Sequence, residues 1–160
     1  MADKNKVSLV IFSGDLDKLL ASFIIATGAA ASGMKVSMFF TFWGLKLIQK
    51  EGAKSSKMYW MKRLFGWMLR PGPDKRTLSQ MNFLGLGPVM LKKLMKRSKV
   101  PSLRELMISA RTLGVEFTAC TTSMEIMGIT RETLIPEVDR IAGVTSFLAD
   151  AKQSNFTLFI

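Results

Sequence analysis

Val7 to Phe12 reads VSLVIF, a β-branched apolar run stopped by Ser13-Gly14-Asp15, which predicts a buried strand ending in a turn. From Leu16 the period changes. Leu16, Leu19, Leu20, Phe23, Thr27, Ala30, Ala31 and Met34 recur at helical spacing, with Asp15 and Asp17 at the start and Gly33 near the end, where acidic first turns and helix stops belong. A second apolar run, Val36 to Phe42, follows. Strand, helix and strand in immediate succession make a βαβ unit, whose strands are parallel and whose crossover is right-handed. That unit commits the chain to a sheet whose next strands must be laid against it.

After Pro101 the same alternation resumes. Ser102 and Glu105 fit a capping box, Leu103, Leu106, Met107, Ala110 and Leu113 form an apolar stripe, and Gly114 stands at a helix end. Val115 to Ala119 predicts a strand running into Cys120; Thr122 and Glu125 predict a capping box on a short helix closed by Gly128. A brief strand near Val138 to Ile141, a helix from Val144 to Lys152 and a strand from Phe156 to Ile160 finish the pattern. The expectation is one domain over residues 1–160, a three-layer α/β/α fold with a mainly parallel sheet of about five strands.

The stretch from about 43 to 99 departs from this framework. It carries fourteen basic residues against Glu51 and Asp74, all three Trp and six of the twelve Met, although the whole 160-residue chain has a net charge of +11. The charge is therefore local, a basic insertion on a nearly neutral frame. A short helix is expected at Leu45 to Lys50, then a helical hairpin. Its first arm is Met58 to Arg70, and its second follows Pro88, with Met90, Leu91, Leu94 and Met95 opposite Lys92, Lys93, Lys96 and Arg97. Three readings fit the insertion: a lid and oligomer contact, a peripheral contact with an anionic membrane through residues 57–99, or nucleic-acid binding. No nucleic-acid recognition motif accompanies the charge, so that partner class is not expected. The uncharged run Leu19 to Met34 is short for a membrane span and reads as a buried crossover helix. With no apolar leader at the start, the chain is expected to be cytoplasmic, membrane association through the insertion aside.

One cysteine and no histidine exclude a disulfide framework, CxxC redox or zinc motifs, and every nucleophile paired with His. Neither a metal nor another cofactor is expected. Gly28 to Gly33 is followed by Met34-Lys35 inside a helix, and Gly85-x-Gly87-Pro88 lacks a third glycine, so neither is a phosphate or dinucleotide loop. Cys120 remains the one candidate for chemistry. At a strand's carboxyl end, before a helix start, backbone N–H groups would favour a thiolate there, and the Thr121, Thr122 and Ser123 hydroxyls add donors. The alternative is a buried cysteine acting as a small hydrophobe. Asp15 and Asp17 either help line a pocket at the tip of the first strand or simply favour the helix start.

The chain resembles the DsrE-like family (DsrE/DsrF/DsrH-like sulfur-relay proteins), in the branch with a long insertion after the second strand. The resemblance rests on Ser13-Gly14-Asp15-Leu16-Asp17-Lys18, Phe39-Phe40-Thr41-Phe42-Trp43-Gly44-Leu45, Ala119-Cys120 with Ser123-Met124 and Met127-Gly128, and the ending Thr157-Leu158-Phe159-Ile160. It implies a flavodoxin- or Rossmann-like fold, frequent homo-oligomers, and a sulfurtransferase role in which a single cysteine, here Cys120, carries sulfane sulfur as a persulfide between donor and acceptor proteins. Gly14, Asp15, Trp43, Thr121, Thr122 and Ser123 are then expected to line its pocket. The competing expectation is a non-catalytic interaction module whose basic insertion docks an anionic membrane surface or protein partner.

Overall fold

The computed structural model describes residues 5–52, 72–73, 77–80 and 86–160. The expected alternation is realised as strand β1 (Lys6–Ile11), helix α1 (Leu16–Ala31), β2 (Lys35–Phe40), α2 (Leu86–Arg97), α3 (Leu103–Thr112), β3 (Glu116–Cys120), α4 (Thr121–Met127), β4 (Arg140–Ala142), α5 (Val144–Lys152) and β5 (Phe156–Phe159). The sheet order is β4-β3-β2-β1-β5, and every pairing is parallel. Steps from β1 through β4 run one way across the sheet; the connection through α5 returns to lay β5 on the far side of β1. Right-handed crossovers put α5 on the opposite face from α1 and α3, and the Phe147 ring of α5 packs 5.2 Å from that of Phe39. This is the three-layer α/β architecture expected.

Strand alternation sorts the two faces. Val7, Leu9 and Ile11, Val36, Met38 and Phe40, and Phe117 and Ala119 point into the main core with Leu16, Leu19, Phe23 and Ala26 of α1 and Leu103, Leu106 and Ala110 of α3. Three rings stand at its centre: Phe117 lies edge-on to Phe40 at 5.2 Å and to Phe23 at 5.9 Å, an arrangement that adds to their burial. The opposite face presents Ser8, Val10, Ser37, Phe39, Thr118 and Cys120, all buried, and α5, which has no fully buried residue itself, lies on this side.

The local signals act as their chemistry requires. Ser102 accepts from the Glu105 amide while the Glu105 carboxylate accepts from the Ser102 amide, completing the expected capping box on α3. Gly33, Gly114 and Gly128 hold φ of +81°, +80° and +64° where their helices end. Other expectations shift. The helix predicted at Leu45 to Lys50 is a 3-10 turn at Phe42–Lys46, because the residues after it pair instead with the loop before β4: Gln49 bridges Leu134, and the Ile135 amide donates to the Ile48 carbonyl at 2.9 Å. The strand predicted near Val138 to Ile141 starts two residues later, as β4 at Arg140, with the Asp139 side chain accepting from the Phe117 amide of β3 just before it. Of the predicted hairpin, Met58 to Arg70 lies outside the described residues. Its second arm is α2, where Leu91 and Met95 pack on the core and Met90 and Leu94 stay exposed. No helix among the described residues is long and apolar enough to cross a membrane.

Asp139 ties β3 to α3. Its Oδ2 accepts from the Phe117 amide and from Arg111 Nη1, both at 2.7 Å, its Oδ1 accepts from Arg111 Nη2 at 2.8 Å, and the Arg111 guanidinium lies over the Phe117 ring. Partial burial alone would raise the Asp139 carboxyl, but these bonds outweigh it and hold the group below its ordinary value of 3.8. A depressed carboxylate contributes stability that is present above 3.8 and lost as pH falls through the folded-state value. Asp139→Asn should therefore cost about 1 kcal/mol at neutral pH, discounted because the side chain is about a third exposed. Urea titrations should show the gap between variant and wild type closing in acid; a gap unchanged below pH 3.8 would contradict this account.

Candidate functional site

The carboxyl ends of β1 and β2 are joined by one close approach. The Thr41 amide donates to the Ile11 carbonyl, and the Gly44 amide donates to those of Phe12 and Thr41, each at 3.0 Å. These bonds press the 3-10 turn against the tip of β1. A Cβ on Gly44 would overlap the Ile11 carbonyl oxygen and stand 2.9 Å from its carbon, so only glycine fits. The constraint is felt next door, where Phe42 holds φ of +43°, a conformation that costs a non-glycine residue of order 1–3 kcal/mol. Phe42 in turn leans on Phe12, ring centroids 5.5 Å apart, and Phe12 stacks on Phe159 at 5.6 Å.

Cys120 is the last residue of β3 and the N-cap of α4, with φ −74° and ψ 117° and no hydrogen bond from its side chain to the helix. The predicted N-cap, Thr122, is instead the second helical residue and exposed, because the strand passes directly into the helix with no intervening turn. Cys120 is 7% exposed. Phe40 pairs with Ala119, so one residue further on Thr41 stands beside Cys120 on the α5 face. Thr41 Oγ1 lies 2.6 Å from Ser123 Oγ, a buried bond that clamps the end of β2 to the first turn of α4.

The predicted site residues therefore divide. Ser123 is brought to Cys120, through Thr41. Thr121 is half-buried beside it, and Trp43 is half-buried in the 3-10 turn packed on α4. Gly14 and Asp15 sit at the tip of β1, two strands from β3 and so about 10 Å away across the sheet. The Asp15 carboxylate accepts instead from Ser13 Oγ at 3.0 Å and Lys18 Nζ at 3.1 Å. Asp17 accepts from the amide and hydroxyl of Ser79, pinning residues 77–80 to the start of α1. Burial raises the Asp17 carboxyl, but the Ser79 bonds prevail and lower it. Two clefts of about 650 and 510 Å³ flank α3, the larger edged by Lys92, Lys96 and Lys99; neither is lined by Cys120 or by the six predicted residues. Among the described residues no His/Cys/Asp/Glu cluster could hold a metal ion.

Sequence reasoning missed Thr41 and Thr118. Period-two alternation carried the signal for Thr118, which shares its strand face with Cys120. Thr41 needed the β2–β3 register, which no local pattern supplies.

A family model described as the DsrE/DsrF/DrsH-like family matches residues 3–159. An uncharacterized protein of Bacillus subtilis, YrkE, is 42% identical over 155 residues, covering 97% of this chain and 96% of its own. The sulfur carrier protein DsrE2 of Allochromatium vinosum is 29% identical over 162 residues, covering 99% of both chains. Among solved structures, the ychN protein of E. coli shares the fold, with a TM-score of 0.57 at 12% identity over 98% of this chain and 99% of its own.

Gly44→Ala should lower stability by about 3 kcal/mol, since backbone rather than a flexible side chain must move. Urea denaturation checks this, and a variant with the wild-type midpoint would show that the turn does not depend on the approach to Ile11.

Proposed function

The chain belongs to the DsrE/DsrF/DrsH-like family, and from that membership we propose that it is a sulfur-relay protein, a carrier of sulfane sulfur as a persulfide on Cys120. The observation that carries the reading is the position of the chain's one thiol at a strand's carboxyl end, where parallel α/β sheets gather their reactive groups. The likeness to a sulfur carrier protein over nearly the full length supports it.

Thiol chemistry then supplies the cycle. The Cys120 thiolate attacks the outer sulfur of a donor persulfide; an S–S bond forms to Cys120 Sγ as the donor's S–S bond breaks, and the donor leaves as a thiolate with the electron pair. Attack by an acceptor thiolate on the outer sulfur reverses the sequence and restores Cys120. The exchange is redox-neutral and calls for no histidine. With no second cysteine in the chain, transfer is intermolecular, and the natural partners are sulfur-donor and sulfur-acceptor proteins of the cytoplasm. The 7% exposure of Cys120 leaves a narrow approach, which suits a carrier that must keep its cargo from water. Exposed Phe156 and Phe159 on edge strand β5, with Leu148 of α5, support self-association.

Incubation with inorganic polysulfide followed by intact mass measurement should give a species about 32 Da heavier, one added sulfur atom, that is absent from Cys120→Ser. Equal gain by both proteins, or none by wild type, would overturn the reading.

A second reading concerns α2, whose outward side carries Leu86, Val89, Met90 and Leu94, each 55–65% exposed, among Lys92, Lys93, Lys96 and Arg97, with no acidic residue between 86 and 99. Apolar anchors set in basic charge suit an anionic membrane surface. Co-sedimentation should show binding to anionic but not to neutral vesicles, weakening as salt rises; equal binding to both, or to neither, would contradict it.

A further inference from the structure

The hydroxyls around Cys120 do not balance as they stand. Thr118 is 2% exposed, and its Oγ1 is buried without a hydrogen-bond partner among the described residues. The side chain is two residues before Cys120 on the same strand and points to the same face. Beside Cys120, Thr41 and Ser123, 9% and 2% exposed, share one hydrogen bond at 2.6 Å. Two hydroxyls carry two hydrogens, and their mutual bond uses one. The face of the sheet around the thiol therefore holds hydroxyl hydrogens beyond those its own contacts consume.

A buried hydroxyl without a partner costs stability that a valine of the same shape would not. In native proteins such a group asks for an explanation, and a catalytic role or a bound species that supplies the missing partner is one. The species that the proposed function adds at this place is the outer sulfur of a persulfide. Formed by the exchange above, it extends one S–S bond beyond Cys120 Sγ and carries negative charge when its proton has been lost to solvent. A buried anion needs donors, and hydroxyl groups meet it with charge-assisted hydrogen bonds.

We propose that Thr118, together with the spare hydrogen of the Thr41–Ser123 pair, holds the outer sulfur of the persulfide on Cys120 and stabilises it as the anion. Thr118 supplies the unpartnered hydroxyl, and the Thr41–Ser123 pair is fixed by its own bond beside Cys120. The inference rests on the carrier reading and adds to it the groups that retain the cargo. It assigns the empty bonding capacity of Thr118 to the loaded state, so the residue matters to the persulfide and not to the resting fold.

The test compares wild type, Thr118→Val and Thr118→Ser, each loaded with inorganic polysulfide, desalted, and followed by intact mass as the added sulfur is lost to glutathione. Thr118→Val should melt at or above the wild-type temperature and still load, but should lose its sulfur about tenfold faster, the effect of one charge-assisted hydrogen bond. Thr118→Ser, which keeps the hydroxyl, should retain sulfur as wild type does. The proposal is overturned if Thr118→Val holds its sulfur as long as wild type. It is also overturned if the loss is accompanied by a lower melting temperature and serine fails to restore retention, because the threonine is then structural. Failure of wild type to load would remove the carrier reading itself, and is visible before any variant is compared.

Discussion

The close approach of Gly44 to the tip of β1 is the contact on which the geometry at the sheet's carboxyl edge depends. Two backbone amides, of Thr41 and Gly44, are satisfied by carbonyls of Ile11 and Phe12, and they bring a tight turn down where a wider loop would otherwise leave β2. The turn sets Thr41 beside Cys120 and leaves its hydroxyl facing Ser123 at 2.6 Å. The strain at Phe42 is a local consequence, offset by the hydrogen bonds and by rings packed on Phe12. The arrangement of groups around the thiol thus follows from a steric requirement at a residue with no side chain.

The two faces of the sheet answer different demands. On the α1 and α3 side, interlocked aromatic rings and aliphatic side chains form a dry core that holds the strands in register. On the α5 side, serine and threonine alternate with Val10 and Phe39, and among the described residues the short helix α5 lies across them. Ser8 finds Ser154 at 2.8 Å, and Ser154 in turn bonds the Asp150 carbonyl. Thr118 finds no partner among the described residues. A polar face that is buried yet incompletely paired is a poor device for stability and a good one for receiving a small polar or charged group. The thiol of the chain opens onto that face.

Much of this was legible in the sequence. The βαβ unit, the Ser102–Glu105 capping box, the helix-ending glycines and the last helix and strand are local patterns, and local patterns survive folding when tertiary packing agrees with them. The sequence also marked Cys120 as a strand-end residue. It did not show that Cys120 is itself the helix cap, because Thr122 and Glu125 offered a better-looking box two residues later. Leu45 to Lys50 reads as a helix, but helical structure stops at Lys46 in a 3-10 turn, since the backbone from Ile48 to Lys50 bonds residues 133–135, far away in the chain. Gly44 read as one more glycine. Its necessity, like the partnership of Thr41 with Ser123, is created by β1 and α4 arriving from elsewhere, and periodicity carries no trace of that.

Whether Cys120 carries one transferable sulfur is tested most directly by cyanolysis, since cyanide takes the outer sulfur of a persulfide as thiocyanate and leaves the thiolate behind. Protein loaded with polysulfide and freed of excess reagent should release one equivalent of thiocyanate per chain, and Cys120→Ser should release none. Thiocyanate in equal amounts from both proteins, or from neither, would contradict the account.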